Sequence, residues 1–314
     1  MDQNRHSEYL PHIYFAPMEG ITTSVYREVH RKRFSGIDRY YTPFLVANQT
    51  HHFKKRELRE LIPFRDDLVP QVLTASSADF IWAAKYIASL GYAEVNINLG
   101  CPYPTVFTKG KGSGMLRDTD KLRRFFDEVF DEPDLPMISV KTRIGVTDPA
   151  EAGTLTEIFS AFPFNEVIVH PRVREQYYEG TVHRDVFVQM ARLMPHSVCY
   201  NGDIRKPADV EELISCKPDL GAVMIGRGML EDPALARQIR GGAPCGSGEL
   251  LRFMEDLWDA YSEVLYGERD VLFKMKELWH YLGTNYPDCR RALLDIKKAG
   301  NGREYKDAVI RILS

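Results

Sequence analysis

Eight short apolar runs recur along this chain at intervals of roughly 30 residues, with helically spaced stretches between them. They cover residues 12–16, 39–44, 68–73, 94–98, 137–141, 166–170, 198–201 and 222–225. The stretch 78–90 carries Phe80, Ile81, Ala84, Ile87 and Ala88 on one side, and 122–130 and 186–193 behave likewise. Strands alternating with helices demand a parallel sheet, because each strand must return to the same edge through a crossover. Eight such units predict an α/β fold, a (β/α)8 TIM barrel. An open doubly wound sheet is the competitor, weakened because no GxGxxG follows the first run.

Polar chemistry falls at the ends of the predicted strands. Pro17 and Met18, Gln71, Asn98 and Cys101, Lys141 and Arg143, His170 and Arg172, Asn201 and Asp203, then Gly226 and Arg227 occupy those positions. In a barrel the C-terminal strand ends converge on one mouth, where active sites sit. Cys101, in Asn98-Leu99-Gly100-Cys101-Pro102, leaves a strand on a rigid turn and can point its sulfur into a pocket. There it can donate a proton or act as a nucleophile, or it can be a buried structural thiol. The segment Lys109-Gly110-Lys111-Gly112-Ser113-Gly114 is long and glycine-rich enough to act as a flexible cover.

Two glycine turns, Asn201-Gly202-Asp203-Ile204 and Ile225-Gly226-Arg227-Gly228, follow the seventh and eighth strands, where barrels often hold a phosphate. Lys141 and Arg143, two apart on a strand, face the same side and require anionic or electron-rich company. A flavin edge, a carboxylate or a phosphate meets that need, and so does an ordinary ion pair. His170 converges with Lys141 on the mouth, and the Gln71 amide can donate and accept at once. Pro17-Met18 offers a flat apolar support for an aromatic ring. Tyr177 and Tyr178 follow His170 on a mouth loop, where a ring can stack on a base. The run His51-His52-Phe53-Lys54-Lys55-Arg56 can meet phosphates or form a solvated helix face.

With 44% hydrophobic residues the chain can bury a large core, and a net charge of −3 excludes a protein that coats nucleic acid through bulk charge. Five scattered cysteines without CxxC or metal-like spacing suit free thiols in a reducing cytoplasm, and no metal site is expected. The polar first residues and the lack of an apolar run of about 18 predict neither export nor a membrane span. After a linker at 238–244 the pattern becomes purely helical. The expected organisation is a catalytic barrel over 1–240 and a helical domain over 247–314. From Arg269 onward there are ten Lys and Arg against six Asp and Glu, a local excess that hints at an anionic polymer.

Taken together, the chain resembles the tRNA-dihydrouridine synthases. The resemblance rests on Ala16-Pro17-Met18-Glu19-Gly20, the Asn98–Pro102 segment, Gly112-Ser113-Gly114-Met115-Leu116, Val140-Lys141-Thr142-Arg143-Ile144-Gly145, Asn201-Gly202-Asp203-Ile204 and Met224-Ile225-Gly226-Arg227-Gly228. These stand in the family's order and span the barrel. The tail, with Lys274-Met275-Lys276-Glu277-Leu278-Trp279 and Tyr286-Pro287, looks most similar to the bacterial branch acting at position 16 of the D-loop.

That resemblance implies FMN in the barrel mouth and NADPH as its reductant. Pro17 and Met18 would support the flavin, and Gln71, Lys141 and His170 would contact its ring. Asn201, Asp203, Gly226 and Arg227 would take the ribityl phosphate end. Asn98, Arg143 and Tyr178 would hold a flipped uracil, hydride would reach its carbon 6, and Cys101 would protonate carbon 5. The implied partner is tRNA, engaged by a monomer. Two features depart from the family: the loop expected after His170 begins Pro171-Arg172-Val173, where Pro171 stiffens it and removes a backbone donor, and the tail is not strongly basic. The rival readings are an FMN barrel acting on a small dihydropyrimidine or enone, and a non-catalytic RNA-binding relative.

Overall fold

The computed structural model describes residues 10–314. Ten strands form one all-parallel sheet: β1 His12–Phe15, β2 Arg39–Tyr41, β3 Leu45–Val46, β4 Leu68–Val69, β5 Gln71–Leu73, β6 Glu94–Leu99, β7 Met137–Gly145, β8 Glu166–Val173, β9 Ser197–Asn201 and β10 Ala222–Ile225. Their order is β3-β5-β6-β7-β8-β9-β10-β1-β2-β4. Its two ends meet across Pro70, which has no N–H and splits one strand into β4 and β5. β2 pairs with β4 while β5 pairs with β6, and the Pro70 carbonyl accepts from Asn96 N at 2.8 Å. Segments β4 and β5 are therefore one stave, β3 prolongs the line of β2, and eight staves close the barrel.

The pleat sorts side chains by parity. Tyr14, Ala16, Tyr41, Val69, Ile168, Cys199, Ala222 and Met224 form a buried cluster of their own, inside the barrel. Their neighbours Ile13, Phe15, Tyr40, Val167, Val169, Val223 and Ile225 join a second, larger cluster with the surrounding helices. Two of those helices have clear start signals. Ser76 accepts from Asp79 N to open Ser77–Ser89, and Asp118 accepts from Lys121 N to open Thr119–Phe130.

Strands β7 and β8 run well beyond the apolar runs that mark them in the sequence. Their register shifts beyond Arg143↔His170, so that Gly145 pairs with Val173. The extra residue lies in β8, in the stretch holding Pro171. A bulge leaves a backbone N–H unpaired, which is where a strand tolerates proline. Pro171 is thus a strand residue rather than part of a loop, and its carbonyl accepts from His183 N at 2.8 Å.

The C-terminal region is helical, with Ser247–Val264, Glu268–Leu282, Arg290–Lys298 and Gly302–Leu313. Phe253, fully buried, meets Tyr26, His30 and Phe34 of the first helical segment at ring-centroid distances of 5.7, 6.2 and 5.1 Å. Trp279 Nε1 donates to Tyr305 Oη at 2.9 Å, and Tyr305 stacks on Trp258. The tail shares the main core cluster with the barrel helices.

Candidate active site

The turn that carries Cys101 is built by Asn98. Its Oδ1 accepts from Gly100 N at 3.1 Å and Cys101 N at 3.0 Å, and its Nδ2 donates to Gln71 Oε1 at 2.7 Å. Gln71 Nε2 donates to Asn96 Oδ1 at 2.8 Å, and Asn96 Nδ2 to Ser139 Oγ at 2.9 Å. A chain of amides therefore crosses β5, β6 and β7 and sets the height of the cysteine. Both ends of the Asn98 amide are engaged within the protein.

The glycine-rich segment is not the free cover its composition suggests. Gly112–Arg117 is a 3-10 helix, and buried Ser113 donates to the Cys101 carbonyl through Oγ at 2.7 Å and N at 3.2 Å. Gly112 is left-handed at φ +56°, and a Cβ there would lie 3.0 Å from the Cys101 Cβ. Gly100 has neither constraint; a Cβ there meets only ordinary contacts from 3.5 Å outward. The indispensable backbone freedom sits at Gly112, packed against the cysteine's back. Burial pushes the Cys101 thiol up, while Arg143 and Lys141 pull the other way.

Positive charge dominates the wall beside it. Lys141 has no hydrogen-bond or ion-pair partner among the described residues, and burial together with Arg143 lowers it to about 8. Arg143 spends its guanidinium on backbone: Nε to Gly100 O at 3.0 Å, Nη1 to Val173 O at 3.0 Å and Nη2 to Tyr177 O at 2.7 Å. It pins the β6 exit to the β8 exit, and burial lowers it to about 10. His170 is held well below its ordinary value by burial and by Arg143 and Lys141, so it is neutral. Its Nε2 lies 3.3 Å from Arg172 Nη1, a donor, which leaves the proton on Nδ1.

Asp203 joins two arginines. Arg172 reaches it with Nη1 at 3.0 Å and Nη2 at 2.6 Å, and Arg227 Nη2 reaches it at 2.6 Å. Burial opposes the charge on Asp203, but these bonds outweigh it and hold the carboxyl below its ordinary range. Asp203 thus orients Arg227. The turns after β9 and β10 touch closely enough that a Cβ on Gly228 would fall 2.1 Å from Ile204 O. Tyr178 lies between cations, its ring centroid 5.6 Å from Arg143 Cζ and 4.9 Å from Arg227 Cζ. Tyr177, whose φ is +49°, packs instead on Arg174. Of the basic run, His51 stacks on Trp82 and Lys55–Leu58 is a short helix; none of it lines the cavity at the mouth, though the charge of Arg56 acts on Glu19 there.

All thirteen residues singled out from the sequence line one cavity of about 360 Å³ at the C-terminal ends of the strands: Cys101, Pro17, Met18, Gln71, Lys141, His170, Asn201, Asp203, Gly226, Arg227, Asn98, Arg143 and Tyr178. Sequence reasoning missed Glu19, Phe44, Tyr103, Arg205, His280 and Tyr281, which line it too. Glu19 and Arg205 adjoin recognised turns and were within reach of the same strand-end logic. His280 and Tyr281 come from the tail and carried no such signal. Arg172 stands behind the wall as the partner of Asp203. Among the described residues no group of three or more His, Cys, Asp or Glu could hold a metal ion, and no helix is long and apolar enough to cross a membrane.

A family model described as dihydrouridine synthase matches residues 14–285, the barrel and the start of the tail. The chain belongs to the dihydrouridine synthase family. It is 29% identical over 240 residues to a tRNA-dihydrouridine(16) synthase of Cupriavidus necator, covering 73% of each chain. It is 28% identical to a probable tRNA-dihydrouridine synthase 1 of Synechocystis, over 94% of this chain and 85% of the relative. Among solved structures, a morphinone reductase superposes with TM-score 0.52 at 12% identity over 74% of this chain and 86% of that one. A histamine dehydrogenase from Rhizobium superposes with TM-score 0.55 at 12% identity, over 78% of this chain and 48% of that one. These two likenesses concern the barrel fold.

Proposed function

We propose that this member of the dihydrouridine synthase family reduces a uridine of tRNA to 5,6-dihydrouridine with FMN and NADPH. The observation that carries this is a protonated thiol, Cys101, lining the same cavity as Lys141, an ammonium without a protein partner. A part-buried, unpartnered cation needs an electron-rich ligand, and the pyrimidine edge of a flavin is one. The residues present fit that group. Lys141, neutral His170 and Gln71 would hold its ring, with Pro17 and Met18 beneath. Arg227, oriented by Asp203, would hold its phosphate together with Asn201 and the backbone at Gly226. The chemistry such a flavin would bring, once reduced by a nicotinamide, is a hydride for uracil carbon 6.

The chain's own residues provide the rest. An extruded uracil costs a few kcal/mol of lost stacking, which the Tyr178 face would offset together with the second Nδ2 hydrogen of Asn98 and the two Arg143 N–H groups not spent on backbone. Cys101, kept protonated by burial, would donate its proton to carbon 5. The thiolate left behind is stabilised by Arg143 and Lys141, the charges that lower its proton affinity. Solvent then returns the proton. The similarity of the Cupriavidus relative supports position 16 as the target. The barrel over 1–240 would be the catalytic unit and the helices over 247–314 the RNA-binding one, in a cytoplasmic monomer with free thiols.

The test is dihydrouridine formation in unmodified tRNA by the yellow holoprotein and by Cys101→Ala. The variant should retain flavin and lose at least a hundredfold in rate. A wild type that forms no dihydrouridine, or a Cys101→Ala protein of full activity, would refute the assignment.

A further inference from the structure

The cavity at the barrel mouth is not built by the barrel alone. His280 and Tyr281, in the last turn of the helix Glu268–Leu282, line it together with Cys101. That helix is tied to the barrel from its middle and from just past its C-terminal end. Lys274 Nζ donates to Gly20 O at 2.7 Å, next to the mouth residue Glu19, and Asn285 Nδ2 just beyond the helix donates to Glu231 O at 2.7 Å. Trp279 anchors the same turn in the tail core.

The result is an aromatic rim drawn from three separate elements. Tyr103 follows β6 and is 52% exposed, Tyr178 follows β8 and is 37% exposed, and half-buried Tyr281 comes from the tail. All three line the one cavity at the mouth, and burial raises Tyr281, with Tyr178, Glu277 and Tyr103 adding to the shift. No hydroxyl of the three has a protein hydrogen-bond partner among the described residues. His280 meets Tyr281 edge-on, with centroids 5.3 Å apart and planes at 84°. Arg205, its side chain half exposed, lines the same opening. Flat apolar faces beside a guanidinium group suit stacked bases on a polyanionic backbone.

We propose that Tyr281 is a positioning residue for RNA, stacking with Tyr103 on nucleotides that flank the extruded uridine, so that the C-terminal helices build part of the reaction site itself. This rests on the tRNA reading above and goes beyond it, because the tail would then act at the target base as well as at a distance from it. Base–aromatic stacking of ordinary strength corresponds to roughly a tenfold change in affinity.

The experiment measures kcat and KM for dihydrouridine formation in unmodified tRNA with wild type, Tyr281→Ala, Tyr281→Leu and Tyr281→Phe. Leucine keeps the half-buried bulk, so it reads stacking even if alanine unfolds the tail turn; melting temperatures identify that case. KM should rise roughly tenfold in the alanine and leucine variants with kcat within about twofold, and phenylalanine should restore wild-type values. A leucine variant with wild-type KM overturns the proposal, as does a phenylalanine variant as impaired as leucine, or a loss confined to kcat. An inactive wild type removes the tRNA reading and this proposal with it. An active wild type with an unimpaired leucine variant removes this proposal alone.

Discussion

Glu166→Gln should flatten the pH dependence of stability. The floor of the barrel, at the strands' N-terminal ends, holds two carboxylates: Glu94 on β6 and Glu166 on β8, each 6% exposed. Arg39 bonds Glu94 at 2.8 Å, and Tyr14 Oη donates to Glu166 Oε1 at 3.2 Å. Tyr41 and Cys199 complete the surroundings, and Tyr41 Oη, Glu94 Oε1 and Glu166 Oε2 are buried without partners. Burial, reinforced by Glu94 and only partly offset by Arg39, raises Glu166 to about 7. An unfolded glutamate titrates at about 4.3, so between those values the unfolded chain gives up a proton that the folded chain keeps.

Stability therefore falls as pH rises through that window, by up to about 4 kcal/mol in all at about 1.4 kcal/mol for each tenfold, and levels off above pH 7. A neutral glutamine can still accept from Tyr14 and has no charge to bury. Urea midpoints measured at intervals from pH 5 to pH 8 check the difference between the two proteins. The variant should gain on the wild type as pH rises, by a total of about 2–3 kcal/mol at pH 8. Parallel curves for the two proteins, or a variant that loses ground with rising pH, would refute the argument.

Gly112→Ala should disturb the Cys101 turn and Gly100→Ala should not, because only the first is left-handed and within 3.0 Å of the Cys101 Cβ. Urea denaturation should show a loss of about 1–3 kcal/mol for Gly112→Ala and under about 1 kcal/mol for Gly100→Ala. Phe253→Ala should cost about 3–5 kcal/mol, because it empties a fully buried aromatic site between the tail and Tyr26, His30 and Phe34. Its measure is again the urea midpoint. The same packing means that removing the tail strips the barrel of part of its core and the mouth of His280 and Tyr281.

Much of the site was legible because it depends on period and position. Strand periodicity marked all eight staves, and residues just past a strand's end in a closed barrel have little choice but to meet at the mouth. What stayed hidden depends on contacts between segments remote in sequence. Arg172 and Asp203 looked like two separate mouth residues, yet they pair across β8 and β9 so that Asp203 can steer Arg227. Arg143 looked free for a ligand, but the extension of β7 and β8 brings three backbone carbonyls to it. Pro171 looked like a stiff loop residue until the register shift placed it in a strand bulge.

The linear order of residues determined the repeated strand–helix unit, the helical tail and the list of side chains delivered to the mouth, because hydrophobic spacing and strand exits are local properties. Tertiary structure alone decided which glycine the cysteine needs at its back, that two carboxylates share the barrel floor, and that a tail tyrosine reaches the barrel mouth. Each of these depends on how the staves close and where the last helices dock, and no local pattern encodes a distance between segments that meet only in space.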